Sequence, residues 1–264
     1  MGNITVTSEQ KAVIQHPAGH HARVLAVAGS GKTITMAYRI KHLVIDHGAN
    51  PKSIRVLMFN RLAREEFQQR LSEVGVPQAS QPPVHTFHSF CYQLITEMQQ
   101  KGRLPPSPHF WAGSNSERAH ICVLRAINSL EKKHTIPEDS VDPQEALEAI
   151  RLWKASLIPP PRAGYRGNPN VPPVYAEFEK LRIQAGALTY ADFVPLVVEM
   201  LQVEDLLRTE WCNTADHVIV DEYQDVNYGQ QRLIELVAGQ RADVMVVGDD
   251  DQTIYEGRGA RPNY

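Results

Sequence analysis

Three short clusters of residues carry most of the chemistry available to this sequence. The first is Ala26-Val27-Ala28-Gly29-Ser30-Gly31-Lys32-Thr33. Gly29 and Gly31 let the backbone turn so that its N–H groups converge on an anion, and a helix opening there adds its positive end. Lys32 is placed to reach the β- and γ-phosphates of a nucleotide, and the Thr33 hydroxyl to ligate Mg²⁺. Ala28, Gly29, Ser30, Gly31, Lys32 and Thr33 are therefore the candidate nucleotide-binding residues. The strict phosphate-loop pattern has Gly where this chain has Ala26. The second cluster is Asp221-Glu222-Tyr223-Gln224-Asp225. Asp221 is a candidate Mg²⁺ ligand, and Glu222 a candidate for orienting and deprotonating an attacking water. An acidic, solvated helix start would carry the same residues. The third is Gly248-Asp249-Asp250-Asp251-Gln252, where the Gln252 amide can hydrogen-bond a γ-phosphate and register its loss. A surface turn rich in Asp is the plainer alternative. With Lys32, Asp221 and Glu222, Gln252 completes the candidate catalytic set.

These clusters need a scaffold that brings distant positions together. Four apolar runs, Arg23–Val27, Ile54–Phe59, His217–Val220 and Val244–Val247, read as buried parallel strands. All three chemical clusters follow such a run, so all three fall at strand C-terminal ends, where open α/β sheets bind ligands. Between the strands lie amphipathic helices. Ile34, Ala37, Ile40 and Val44 share a face ahead of Gly48, a C-cap residue, and Leu62, Phe67, Leu71 and Val74 align along Arg61–Val74. No strand pattern is visible from about 105 to 185, where helices are expected at Ser116–Lys132, Pro143–Leu157 and Val174–Gln184. Proline-rich stretches, Leu104–Pro108 and Ile158–Pro173, flank them. The expected fold class is α/β: a P-loop domain with a mainly parallel sheet flanked by helices, plus an inserted all-helical subdomain. The division is 1–104, first segment of the α/β domain; 105–185, the helical insert; 186–264, second segment.

Composition narrows the classes. Of 264 residues, 42% are hydrophobic and 22% charged, the balance of a globular domain rather than a disordered or fibrous chain. No apolar run approaches the ~20 residues needed to cross a bilayer, and residues 1–5 lack the features of a signal peptide, so no membrane partner is expected. Val6 stands where a myristoylation signal needs Ser or Thr. Three dispersed cysteines (91, 122 and 212) argue against a disulfide framework or zinc site and make the cytoplasm the default. The net charge of −3 hides an asymmetry: residues 1–110 carry 12 basic against 6 acidic side chains, residues 186–264 carry 5 against 15 and no lysine. A basic first third attracts polyanions; an acidic last third suits divalent cations. Chance imbalance of surface charge explains the same numbers.

Taken together and in this order, the three clusters resemble superfamily 1A DNA helicases of the UvrD/Rep type. Val6-Thr7-Ser8-Glu9-Gln10 is similar to the family's adenine-reading motif, with Gln10 as the reader, although Thr7 and Gln10 also form a capping box by spacing alone. Thr86-Phe87-His88-Ser89 matches the DNA-contacting motif Ib. Leu188–Phe193 resembles the return segment after the inserted domain. Asp221–Asp225 matches motif II and Gly248–Ala260 motif III. The resemblance implies a RecA-like lobe, ATP and Mg²⁺ as cofactors, and ATP-driven 3′-to-5′ movement on single-stranded DNA and single-strand/duplex junctions. It makes Phe59, Asn60, Arg61, Thr86, Phe87, His88, Tyr255 and Arg258 the candidate DNA contacts.

The sequence departs from the family in three places. Motif Ia reads Leu57-Met58-Phe59-Asn60-Arg61-Leu62-Ala63, with the aromatic displaced by one position, so Phe59 is equally well a core strand residue. Gly257 replaces a stacking Trp in motif III, and Ile34 an Arg that packs on adenine. The chain stops at Tyr264, just past motif III, so a second RecA-like lobe (2A/2B) with its γ-phosphate-neutralising arginines is expected as a partner absent from this chain. Half a motor would bind Mg-ATP weakly and hydrolyse it slowly. Two rivals remain open. One is a non-helicase P-loop enzyme such as a small kinase. The other is a DNA- or partner-binding module with a vestigial nucleotide site.

Overall fold

The computed structural model describes residues 6–27, 29–107, 109–111, 117–160, 167–203, 205–212 and 214–249. Helix α1 (Ser8–Ile14) precedes strand β1 (Ala22–Leu25), which turns directly into α2 (Lys32–Lys41). A π-helical turn, His42–Asp46, extends α2 to the left-handed Gly48. Then follow β2 (Ile54–Met58), α3 (Arg61–Glu73), β3 (Val84–Thr86) and α4 (Phe87–Gln100). After β4 (His109–Trp111) come the helices α5 (Glu117–Lys132), α6 (Pro143–Ala155) and α7 (Val171–Gln184). The chain returns through β5 (Ala187–Thr189), α8 (Tyr190–Val203) and α9 (Asp205–Trp211) to β6 (His217–Val220), α10 (Tyr228–Ala238) and β7 (Asp243–Gly248).

The main sheet is parallel throughout, in the order β1-β7-β6-β2-β3. Its side chains alternate between two cores, as the pleat requires. Val56, Met58, Ile219, Met245 and Val247 pack against α2 and α3 through Ile40, Phe67 and Leu71. Leu57, Val218 and Val220 face the opposite way, onto α4, α8 and α10 through Phe90, Leu94, Val197 and Leu233. Both faces are covered, which is why these strands read as continuous apolar runs. All five strands therefore present their C-terminal ends along one edge of the sheet.

Helices α5, α6 and α7 enclose a third core of their own, centred on Val123, Ile127, Ile150 and Phe178. A buried charge network joins this bundle to the sheet side. The Lys154 ammonium donates to Asp192 at 2.5 Å and pairs with Glu179 at 2.6 Å, and Arg182 pairs with Glu179 at 2.7 Å. Asp192 in turn accepts from the backbone N–H and hydroxyl of Thr189. Burial alone would raise the Asp192 carboxyl, but Lys154 and Arg182 outweigh it and hold it below its ordinary value. The first turn of α8 is thereby fixed to α6 and α7.

The structure differs from the sequence reading in five places. The run Arg23–Val27, read as a buried strand, is the edge strand Ala22–Leu25, and Leu25 and Val27 are exposed. β3 is an additional strand of the main sheet. His109–Trp111 forms a strand inside the stretch read as strandless, pairing in parallel with Ala187–Thr189 where the chain enters and leaves the bundle. Helix α7 begins at Val171, not Val174, because Pro172 and Pro173 occupy its first turn, where a missing N–H removes no bond. Leu62, counted on the apolar face of α3, is 77% exposed; the buried face runs through Phe67, Leu71 and Val74.

Candidate nucleotide site and nucleic-acid groove

The turn between β1 and α2 is built for close backbone approach. Gly29 and Gly31 lie in the left-handed region, at φ 78° and 82°, where a side chain would be strained. Gly31 is the N-cap of α2 and offers no side-chain cap, so the first-turn N–H groups of α2 remain available to an anion. Ala26 N–H donates to the Gly248 carbonyl at 2.9 Å, tying the start of the turn to the end of β7. Thr33 sits half-buried in the first turn of α2. Ala28 lies outside the described residues.

Gln10 forms the capping box that its spacing from Thr7 allowed, and it also reaches the phosphate turn. Its carbonyl oxygen accepts from Thr7 N–H at 3.0 Å while the Thr7 hydroxyl accepts from Gln10 N–H, completing the capping box of α1. The free end of the same amide donates to the Ser30 carbonyl at 2.9 Å. The cap thus aims Gln10 at the phosphate turn. Between them opens a cleft of about 500 Å³, lined by Gln10, Val24, Ala26, Ser30, Lys32 and Met36 among others.

Across the sheet edge, β6 delivers the two acidic residues. Asp221 is only 5% exposed, and its N–H continues the β-ladder to the Leu57 carbonyl at 3.0 Å. Burial and the neighbouring Glu222 push its carboxyl up to about 6, with Lys32 opposing. Its Oδ1 is buried with no hydrogen-bond partner. An orphaned, buried oxygen on a carboxyl within electrostatic reach of Glu222 and Lys32 is a fitting donor for a hard divalent cation. Among the described residues no three His, Cys, Asp or Glu side chains cluster as a metal cage.

Glu222 adopts a left-handed backbone, φ 49° and ψ 47°, which costs a non-glycine residue about 1–3 kcal/mol. Two contacts accompany that conformation: Lys32 Nζ stands 3.1 Å from Glu222 Oε2, and Gln224 Nε2 donates to the same oxygen at 2.6 Å. Gln224 Oε1 then accepts from Asp249 N–H at the end of β7. Lys32, Asp221, Glu222 and the start of the third cluster thus meet at one edge of one sheet. Gln252 lies outside the described residues, as do Tyr255 and Arg258.

Beside this site, at the ends of β2 and β3, lies a larger groove of about 710 Å³. Phe59, Asn60, Arg61, Thr86 and His88 line it. Asn60 and Thr86 also cap α3 and α4, accepting from Ala63 and Ser89 N–H groups. Phe87 does not reach the groove: at 1% exposure it belongs to the core beneath α4. Thr86 is the N-cap, and the first residue after it points inward. Burial pushes the His88 imidazole below its ordinary value, so it is neutral near pH 7.

Ser89, quoted with the same motif as Thr86 and His88, also lines the groove, and the sequence reading gave no DNA role to the remaining lining residues, Arg64, Tyr92, Phe110, Tyr190 and Phe193. The aromatic rings form a bed: Tyr92 lies 5.5 Å from Phe110 and 6.0 Å from Phe193, and Tyr190 lies 5.6 Å from both Phe193 and His88. Tyr92 carried a usable signal. Phe87, Phe90, Cys91, Leu94 and Ile95 define the buried face of α4, and Tyr92 is an aromatic on its other side, about half exposed.

A parallel α/β sheet whose phosphate turn, acidic pair and aromatic groove share one edge defines the class: a P-loop lobe of RecA-like architecture. Residues 6–264 match the family model of the UvrD/REP helicase N-terminal domain, and the chain belongs to that family. It is 32% identical over 244 residues to the ATP-dependent DNA helicase Rep of Salmonella typhimurium, covering 90% of this chain and 35% of that protein. It is 27% identical to DNA helicase II of Escherichia coli, covering 97% and 35%, and 27% identical to the ATP-dependent DNA helicase PcrA of Bacillus subtilis, covering 90% and 32%. The chain spans about a third of the length of these curated relatives.

Proposed function

We propose that this chain is the ATP-binding lobe of an ATP-dependent DNA helicase or translocase that moves 3′ to 5′ on single-stranded DNA. Residues 1–104 and 186–264 form the ATPase domain in this reading, and 105–185 the inserted domain. The observation that carries it is the convergence of Lys32, Asp221 and Glu222 beside a groove lined with aromatic rings and arginines. The names of the relatives supply ATP and DNA.

Each side chain has a task in that chemistry. The first-turn N–H groups of α2 and Lys32 hold the phosphate chain, and Gln10 is placed at the turn to read the base. Asp221 and Thr33 hold Mg²⁺, which supplies charge neutralisation on the phosphates. Lys32 leaves Glu222 for the phosphates, freeing a carboxylate oxygen to accept a proton. The water oxygen then bonds to the γ-phosphorus as the bond to the β–γ bridging oxygen breaks; the electron pair leaves with ADP and the water proton passes to Glu222. Gln252 senses the γ-phosphate. A second RecA-like lobe supplies arginines, worth about 10³–10⁵ in rate in related phosphoryl transfer. DNA lies in the groove, with phosphates on Asn60, Arg61 and Arg64 and bases on the aromatic bed.

The test is direct. The purified chain binds a fluorescent ATP analogue with Mg²⁺, hydrolyses ATP slowly and does not separate duplex strands. Lys32→Ala weakens nucleotide affinity at least about a hundredfold with little change in Tm. Unchanged affinity in calorimetry removes Lys32 from the site, and rapid DNA-stimulated hydrolysis by this chain overturns the need for a second lobe.

A further inference from the structure

Gln224 lies between the two acidic segments of the nucleotide site, and both ends of its amide are committed. The Asp249 backbone N–H is a donor only, so the atom it meets at 3.0 Å must be the amide oxygen. The NH₂ end is therefore the one that faces Glu222, donating at 2.6 Å. The side chain is 3% exposed and cannot turn over. It also fills the space above Gly248, where a Cβ would stand 2.5 Å from the amide oxygen. The contacts close into a ring: Lys32 to Glu222, Glu222 to Gln224, Gln224 to Asp249, and Gly248 back to Ala26 at the start of the phosphate turn.

We infer that Gln224 is a positioning residue for Glu222, holding one carboxylate oxygen while the other takes the proton of the attacking water. The inference rests on the reading of this site as an ATP-hydrolysis centre. Without nucleotide, Glu222 Oε2 has two donors, Lys32 and Gln224, and Oε1 is 3.3 Å from Lys32. When Lys32 moves to the phosphates, Gln224 is the donor that stays. It keeps the left-handed Glu222 from swinging away and leaves Oε1 open. Because the same amide holds Asp249 N–H, a shift of the segment after β7 moves Glu222 with it.

Gln224→Glu and Gln224→Met separate this role from packing. In Gln224→Glu the oxygen facing Asp249 is retained, but a carboxylate now faces Glu222 at hydrogen-bond distance, and the pair is compatible only when they share a proton. Hydrolysis is followed in single turnover, with protein in excess over Mg-ATP, and each variant is expressed as a ratio to the unmodified chain at pH 8 and pH 6. The expected Gln224→Glu ratio is reduced about tenfold or more at pH 8 and recovers toward one at pH 6. Gln224→Met is reduced at both. A Gln224→Glu ratio that is the same at both pH values, or unaltered hydrolysis in Gln224→Met, overturns the inference. So does an unmodified chain that binds nucleotide through Lys32 but turns none over at either pH. An unmodified chain with no affinity for Mg-ATP overturns the hydrolysis-centre reading and the inference with it.

Discussion

The raised Asp221 carboxyl makes a prediction about stability that runs opposite to the usual effect of removing a charge from a site. A group held near 6 instead of its ordinary 3.8 disfavours the folded chain whenever it is ionised. About two pH units at 1.36 kcal/mol each give a cost of about 3 kcal/mol, present above pH 6 and relieved as pH falls from 6 toward 4. Asp221→Asn removes that ionisation. The amide oxygen can accept the backbone N–H of Glu222, as one carboxylate oxygen does now. The NH₂ end takes the place of the unpartnered Oδ1 and stays unpartnered, returning about 1–2 kcal/mol. The nucleotide-free variant is thus expected to be about 1–2 kcal/mol more stable than the unmodified chain at pH 8, and no more stable at pH 4.5.

Urea denaturation at the two pH values measures this, with the m-value checking that the unfolded states match. The same variant loses the Mg²⁺ dependence of nucleotide binding. In the unmodified chain, Mg-nucleotide affinity falls as pH drops through about 6, because the cation and a proton compete for one carboxylate. A variant less stable at pH 8, or a stability difference independent of pH, refutes the reasoning. It would mean that the Asp221 carboxylate is well solvated or already satisfied.

Three other substitutions separate the roles of the groove, the core and the charge network. Tyr92→Ala and Tyr190→Ala each weaken binding of a labelled oligothymidylate by about 1–3 kcal/mol and leave the salt dependence unchanged; a change in salt slope alone would show that the rings do not stack on bases. Phe87→Ala lowers stability by about 3–5 kcal/mol through an empty core site; in urea titrations it is the midpoint that moves, and a DNA defect at unchanged stability would return Phe87 to the groove. Lys154→Met removes one of the two cations that the buried Asp192 and Glu179 carboxylates share, leaving Arg182, and costs up to about 3–5 kcal/mol. Lys154→Met combined with Asp192→Asn recovers part of that loss, and additive losses would show that the two side chains act independently.

The parts of this fold that were legible in the sequence are those where burial is uniform. β2, β6 and β7 lie inside a sheet covered on both faces, so their apolar runs could not be mistaken for surface. The short elements were not legible. β3, β4 and β5 have three residues each, and Val84-His85-Thr86 or His109-Phe110-Trp111 carries too little pattern to separate a strand from a loop. Pairing between β4 and β5, 78 positions apart in the chain, is a tertiary fact that no local window contains. The nucleotide site was readable because backbone turns and carboxylates must sit at fixed spacings. The groove is different. Its rings come from β4, α4 and α8, and no local pattern says that rings on three distant elements share one groove. On α4 helical spacing separates buried Phe87 from half-exposed Tyr92, but it does not tell a groove-lining ring from one that merely faces solvent.

Sheet order also explains how one lobe relates its two sites. The phosphate turn follows β1, the acidic pair follows β6 and the segment after β7 lies between them. Phe59 and Asn60 follow β2, the neighbour of β6 on the other side. The Asp221 N–H is bonded to the Leu57 carbonyl, two residues before Phe59. The carboxylate proposed to hold the cation and the aromatic at the mouth of the groove thus belong to adjoining strands about 4.8 Å apart. Between them lies a backbone hydrogen bond rather than a flexible side chain. Moving Glu222 out of its left-handed conformation cannot leave Asp221 untouched, and moving Asp221 strains that rung. The rung between β6 and β2 is therefore the shortest backbone link between the proposed cation site and the groove.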